Sequence, residues 1–460
     1  MKILLVLHYY LPRHQAGTEI YTRNLARALA REHEVRIFTS EDGVFPDRRF
    51  AVTDDEHEGI PVRRLVHPGP PDFLRSYSDS EFDAEFGKML DQFRPDLVHF
   101  LHLFRLSLGF PAEARKRKIP AILTLADFWF LCPPILLLKP HFELCPGPDD
   151  AERCAACGNA IGKFYSGQVS PFLLGRERLG EQLFQAVHQL KRRLPRPLVD
   201  FARSLLAPQK AAELEQRVLL LRARLRAARS ALAELELVLA PSRFLRRKMI
   251  EANLLAPEKI VLSDYGFDLE PFQNLQRSSA DHLRLGFLGT LVEHKGAHVL
   301  IEAMNLLSDT SATLDLFGDL TIFPAYAQRL KKISRNPRTS FRGRFENPEV
   351  GKILSSLDAL AVPSLWYENS PLTIHEAFLA RIPVLASNLG GMAELVTDNL
   401  SGLTFQPGDA VDLARAIRRL AIEPGLLDRL RQGIPPVKTI QENVSELTAI
   451  YQRLRPANAL

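Results

Sequence analysis

A rhythm of strand and helix runs once along this sequence, breaks, and starts again, and that repetition constrains the fold more than any other feature. KILLVLHYY reads as a first buried strand, Gly17 follows in a loop, and TEIYTRNLARALAREH reads as a helix with Ile20, Leu25 and Leu29 toward one side. EVRIFTS, DLVHFLHL and AILTLAD are further strand-like runs, the last two separated by the basic helical stretch PAEARKRK. The pattern restarts at residue 283: LRLGFLGT, TLDLFGD, ALAVPS and IPVLASN read as strands, with HVLIEAMNLL, PEVGKILSSL and PLTIHEAFLA as helices between them. Alternation of this kind predicts α/β domains with parallel sheets. For 460 residues the expectation is two Rossmann-like domains plus an insertion. The first spans 1–267, with the insertion at about 130–236. The polar stretch 268–282 reads as a linker, 283–435 as the second domain, and 436–460 as a C-terminal helix packing back toward the first. The ligand site of such a pair is expected in the cleft at the C-terminal ends of the strands.

The insertion reads as a cysteine-containing part followed by helices. Leu214, Val218, Leu221, Leu225, Ala228 and Leu232 follow the 4,3 spacing of a seam that packs on another helix, and Arg222, Arg224, Arg226 and Arg229 fall on its other faces. One reading is an antiparallel helical pair, with residues 178–205 as partner and the arginines solvated. The other is contact with an anionic membrane surface or acceptor. Charge sharpens the question: residues 161–250 hold 18 Lys and Arg against 7 Asp and Glu, while the whole chain is only +5. So localised an excess points to an anionic partner or surface and not to nucleic acid, for which no recognition motif is present. The most apolar stretch, AILTLADFWFLCPPILLL, contains Asp127 and a Pro-Pro pair and makes a poor membrane span. The N-terminal apolar run lacks a small-residue cleavage site, so a cytoplasmic location is expected, with the inner membrane face as the alternative.

Two carboxylates stand out in YENSPLTIHEAF. Glu368 and Glu376 are separated by seven residues with Pro371 between them. In one unbroken helix they would sit about 80° and roughly 12 Å apart. Proline fits a first turn and serine is a good N-cap, so Tyr367–Asn369 reads as loop, Ser370 as cap and Pro371 onward as helix. That puts Glu368 just outside the helix N-terminus and Glu376 one to two turns inside. Unpaired amides lie between them and suit an anion such as phosphate. Elsewhere at strand ends stand Gly289, Lys295, the Gly-Gly pair of SNLGGMAELV, and Gly17 in HQAGTE. Each alone suits an ordinary turn or solvated side chain; together they line one cleft with anion-friendly loops.

On these stretches, with LVLAPSRF, FLGTLVEHKG, LAVPSLWYENSPLTIHEAFLARIPVLAS and NLSGLTFQPGD, the chain resembles the retaining glycosyltransferases called glycosyltransferase group 1, with the two-Rossmann GT-B fold. The resemblance covers most of both domains and lacks the insertion. It implies that Glu368 hydrogen-bonds the transferred sugar and acts as the catalytic carboxylate, and that Glu376 grips the ribose. It also implies that the amides around Ser370, Pro371, Leu372 and Thr373, with Lys295, hold the diphosphate beside Gly289 and Thr290. Gly17 would let the first domain close on the donor. The implied donor is a UDP- or GDP-sugar, the acceptor a glycan or lipid-linked molecule, and the setting polysaccharide or glycoconjugate biosynthesis. No cofactor is required for the chemistry. Two departures are present. Relatives often carry histidine where Ala126 stands, before Asp127 and near the donor sugar, and often arginine where Thr290 stands. These departures keep open a second reading, a binding or scaffold protein of the same fold with little turnover.

The four cysteines, Cys132, Cys145, Cys154 and Cys157, end in a Cys-x2-Cys turn. Four thiolates could complete a closed, structural tetrahedral zinc site. Unlinked thiols and a redox or other metal role are the alternatives.

Overall fold

The computed structural model describes residues 1–43, 50–67, 73–139, 142–148, 151–157, 196–277 and 280–455, with the side chains of 196–212 left aside. The expected helical partner at 178–205 falls largely outside the described residues.

Two sheets organise the chain. The first contains β1 (Lys2–Leu7), β2 (Glu34–Asp42), β3 (Ala51–His57), β4 (Ile60–His67), β5 (Leu97–Phe100), β6 (Ala121–Thr124), β7 (Leu237–Ala240) and β8 (Ile260–Leu262). Their order is β3-β4-β2-β1-β5-β6-β7-β8, parallel except for β3 against β4. The second contains β9 (Arg284–Leu288), β10 (Thr313–Phe317), β11 (Thr339–Gly343), β12 (Ala359–Val362), β13 (Val384–Ser387) and β14 (Gly402–Phe405), all parallel in the order β11-β10-β9-β12-β13-β14. Central strands are covered on both faces, so they read as unbroken apolar runs: Ile3–Leu7 and Ala359–Val362 are buried throughout. The β3–β4 hairpin escaped a reading based on apolar runs because β3 is exposed and charged along Val52–Glu56. Glu58 and Gly59 turn the hairpin with φ of 52° and 79°.

Between β6 and β7 the chain leaves the sheet and returns through the helix Arg196–Ala233. Val218, Leu221, Ala228 and Leu232 are buried there, so the seam packs, but it packs into the first-sheet core. The solvated role expected for Arg224 is corrected: it is 1% exposed, its guanidinium lies 5.0 Å from the Trp129 ring centroid, and it donates to the Trp129 carbonyl. An aromatic face and a buried carbonyl give it what water would otherwise supply. Arg222, Arg226 and Arg229 are exposed. Among the described residues no helix is long and apolar enough to cross a membrane.

The chain passes between the two sheets twice, and the two crossings lie side by side. The Phe267 amide donates to the Lys438 carbonyl (3.0 Å) and the Ile440 amide to the Phe267 carbonyl (2.8 Å). The crossings touch so closely that a Cβ on Gly266 would meet Asn443 Cβ at 2.4 Å and the Thr439 carbonyl oxygen at 2.7 Å. After the second crossing, helix Ile440–Leu454 packs on helix Gly17–Leu29. The Tyr21 hydroxyl donates to Asn443 (2.8 Å), and the His99 Nδ1 lies 2.7 Å from the Tyr451 hydroxyl. The last helix therefore belongs to the core of the first sheet.

Candidate active site between the two sheets

The loops after β1, β6 and β8 meet the loop after β12. A Cβ on Gly17, at the start of the first helix, would stand 3.3 Å from Leu372 Cδ1. Asn369 Nδ2 donates to the Ala126 carbonyl (2.9 Å), and Ser370 Oγ donates to Asp264 Oδ1 (2.7 Å). Sequence-selected residues of both halves thus converge where the strand ends face each other.

Glu368 is 6% exposed. Its Oε1 accepts from Lys295 Nζ (2.6 Å), Ser364 Oγ (2.7 Å) and Trp366 Nε1 (2.9 Å). Burial pushes the carboxyl up, and the Lys295 ammonium with the Ser364 hydroxyl more than offsets it, leaving Glu368 below the ordinary carboxylate range. Lys295 also lies 5.5 Å from the Trp366 ring centroid. Lys295 and Glu368, expected to serve different parts of a ligand, are here each other's partner. Ser364 and Trp366 were not anticipated, though PSLWY stands directly before the first glutamate; nor was His294, beside Lys295, its ring centroid 5.5 Å from that of Trp366.

Glu376 is 9% exposed, and no hydrogen bond to its carboxylate is present among the described residues. Burial alone pushes it up to about 7. The same short segment therefore holds one neutralised carboxylate and one unpartnered one.

The helix between them runs Leu372–Leu379 with Pro371 as N-cap and no side-chain cap. The expected Ser370 cap is corrected: its hydroxyl donates to the Asp264 carboxylate across the interface and lies 2.8 Å from His375 Nε2, and these two contacts, not a helix amide, orient Oγ. Ser370 is buried, while Pro371, Leu372 and Thr373 are half-buried.

Gly289 follows β9 at φ 146°, a conformation that disfavours side chains, and among the described residues no atom beyond its chain neighbours lies within 4 Å of its Cβ position. Thr290 is exposed. Asp127 turns into the first half, accepting from the Trp129 amide (2.8 Å) and lying 2.9 Å from His102 Nε2. The Gly390–Gly391 pair approaches protein backbone: a Cβ on Gly391 would stand 1.6 Å from the Asn369 carbonyl oxygen, and its amide donates to the Glu368 carbonyl (2.7 Å). Gly391→Ala is therefore expected to push the loop 368–370 out of place and cost about 2 kcal/mol of stability, read as a lower urea midpoint; an unchanged midpoint would disprove the contact.

The four thiols pack at the edge of the first-half core. Among the described residues no group of three or more His, Cys, Asp or Glu side chains is arranged to hold a metal ion, so the expected zinc site has no support in this geometry. Burial pushes the Cys132 thiol up to about 12. Iodoacetamide at pH 8 is expected to modify Cys132 last. Protection of all four thiols that is relieved by a chelator would instead show a shared metal.

With the geometry in place, comparison with known proteins is informative. The model described as "Glycosyl transferase 4-like domain" matches residues 16–145, and that described as "Glycosyl transferases group 1" matches 282–423. The chain is 31% identical over 203 residues to the amylovoran biosynthesis glycosyltransferase AmsK of Erwinia amylovora, covering 41% of this chain and 48% of that protein. It is 29% identical over 152 residues to the 2-deoxystreptamine glucosyltransferase of Streptomyces kanamyceticus, covering 32% and 39%. The match thus spans less than half the length of these relatives. Among solved structures, sucrose-phosphate synthase from Thermosynechococcus elongatus superposes with a TM-score of 0.64 at 17% identity, covering 98% of both chains. Anabaena HepE, in complex with UDP-glucose, gives 0.59 at 17% identity, covering 99% of this chain and 98% of that one. The fold is that of the GT-B glycosyltransferases. The chain belongs to the glycosyltransferase group 1 family.

Proposed function

We propose that the protein is a retaining glycosyltransferase that moves a sugar from a nucleoside-diphosphate sugar to a glycan or lipid-linked acceptor, in the cytoplasm or at the inner membrane face. The observation that carries this reading is the pair of buried carboxylates flanking an uncapped helix N-terminus, Glu368 neutralised by Lys295 and Glu376 without a hydrogen-bond partner among the described residues. An unpartnered buried carboxylate suits the two hydroxyls of a ribose. Free amides at Leu372 and Thr373, with Lys295 close by, suit a diphosphate. Glu368, already polarised toward Lys295, has a second oxygen for a sugar hydroxyl. In the proposed reaction the bond from the anomeric carbon to the diphosphate oxygen breaks and a bond to the acceptor oxygen forms on the same face. The acceptor proton passes to the departing phosphate. The protein's task is then positioning and electrostatic stabilisation of the leaving group.

A UDP- or GDP-sugar is the proposed donor. Anabaena HepE was solved with UDP-glucose, which supports starting with UDP. The exposed basic face at Arg222, Arg226 and Arg229 supports an anionic membrane or acceptor nearby. A second reading, a nucleotide-sugar-binding protein with little turnover, is favoured by Ala126 and Thr290, which remove an imidazole and a cation from the strand ends.

The test is calorimetric titration with UDP, GDP and their sugars, followed by measurement of nucleoside diphosphate release. Binding with release supports the transferase, binding without release with any acceptor supports the second reading, and no binding refutes both.

A further inference from the structure

The Ser370 hydroxyl has one proton and two side-chain neighbours, Asp264 and His375, that also face each other. Oγ lies 2.7 Å from Asp264 Oδ1 and 2.8 Å from His375 Nε2, and His375 Nε2 lies 3.4 Å from Asp264 Oδ2. A carboxylate only accepts, so Ser370 donates to Asp264 and takes the Nε2 proton of His375. Oγ is thus held between Asp264 and His375 by its proton and one lone pair, and among the described residues neither the Leu372 nor the Thr373 amide donates to it. A serine before a helix normally spends its oxygen on such amides.

Asp264 is itself held firmly. It follows β8 in the first half, and its carbonyl accepts from Lys438 Nζ (3.1 Å) on the returning crossing and Asn443 Nδ2 (3.4 Å) in the helix that follows it. The His375 ring stacks on Phe267, with centroids 4.7 Å apart, at the point where the crossings pair. Burial also pushes the His375 imidazole below its usual range, which favours the neutral ring, and the contacts to Ser370 and Asp264 place its one proton at Nε2.

We propose that Asp264 is a positioning residue for donor binding: by holding the Ser370 hydroxyl, it keeps the amides at the start of helix Leu372–Leu379 open for the donor diphosphate and ties that helix to the first half. This rests on the donor-site reading above. The same carboxylate thus couples an open anion site to approach of the two halves.

The experiment is calorimetric titration of UDP and GDP into the wild type, Asp264→Ala, Asp264→Asn and the double variant Asp264→Ala/Ser370→Ala, each checked for its melting temperature. Asp264→Ala frees Ser370 to cap the helix and is expected to weaken nucleotide binding roughly tenfold, the scale of one charge-assisted hydrogen bond. Asp264→Asn keeps an oxygen for Ser370 and should fall between it and the wild type. Adding Ser370→Ala to Asp264→Ala removes the competing oxygen and should restore most of the lost affinity, a rescue that simple loss of packing would not give. Unchanged affinity in Asp264→Ala, or a further additive loss in the double variant, overturns the proposal. Failure of the wild type to bind either nucleotide overturns the donor-site reading and this proposal with it.

Discussion

Glu376→Gln is expected to stabilise the unliganded protein at pH 8 while weakening nucleotide binding at the same pH. Burial alone raises the Glu376 carboxyl to about 7, with no hydrogen bond to the carboxylate among the described residues to offset it. Its folded-state value therefore lies above that of the unfolded chain. The stability contributed by the protonated form is fully present below the unfolded value near 4.5 and is lost as pH rises through about 7. At pH 8 the ionised group costs on the order of 3 kcal/mol, and glutamine removes that charge at nearly equal volume. The melting temperature should rise by several degrees at pH 8 and scarcely change at pH 4.5. Binding runs the other way. Ribose hydroxyls donate to the ionised carboxylate, so wild-type affinity should increase between pH 6 and pH 8. The glutamine variant should lose that increase and bind about 10- to 100-fold more weakly at pH 8. Destabilisation at pH 8, or an unaltered pH dependence of binding, would remove Glu376 from the nucleotide site.

The second large effect concerns Glu368. Its Oε1 gathers an ammonium, a hydroxyl and an indole N–H in a buried setting. Glu368→Ala leaves those donors unmatched and should cost about 1–3 kcal/mol of stability, less than a fully buried pair because the Lys295 side chain is 30% exposed. Transfer should fall by about 10²–10³-fold in kcat. Nucleoside diphosphate affinity should hold or improve, since Lys295 no longer divides its charge between Glu368 and a phosphate. A parallel loss of kcat and of UDP affinity would show that Glu368 only holds Lys295 in place and has no separate role toward the sugar.

The parallel sheets were legible because strands covered on both faces must be apolar along their length, as Ile3–Leu7 is. The exposed β3 carried no such signal. The two glutamates were legible as a pair because Pro371 forces a break between loop and helix. The destination of the Ser370 hydroxyl was not, since its acceptor lies 106 residues away in sequence. Arg224 shows the same limit from the other side. A heptad reading assigns it an outward face, and only the fold reveals Trp129 waiting there.

The paired crossings at Phe267 and Lys438–Ile440 carry an architectural consequence. The chain enters the second half and leaves it at nearly one point, then returns to finish the first. The second half is thus a cassette spliced into its host by a single two-stranded seam. Such a unit can be exchanged for that of another family member with joins at 267 and 438, leaving the host's core and final helix in place. Graft compatibility would depend on two small features at the seam, the absent side chain of Gly266 and the reach of Asp264.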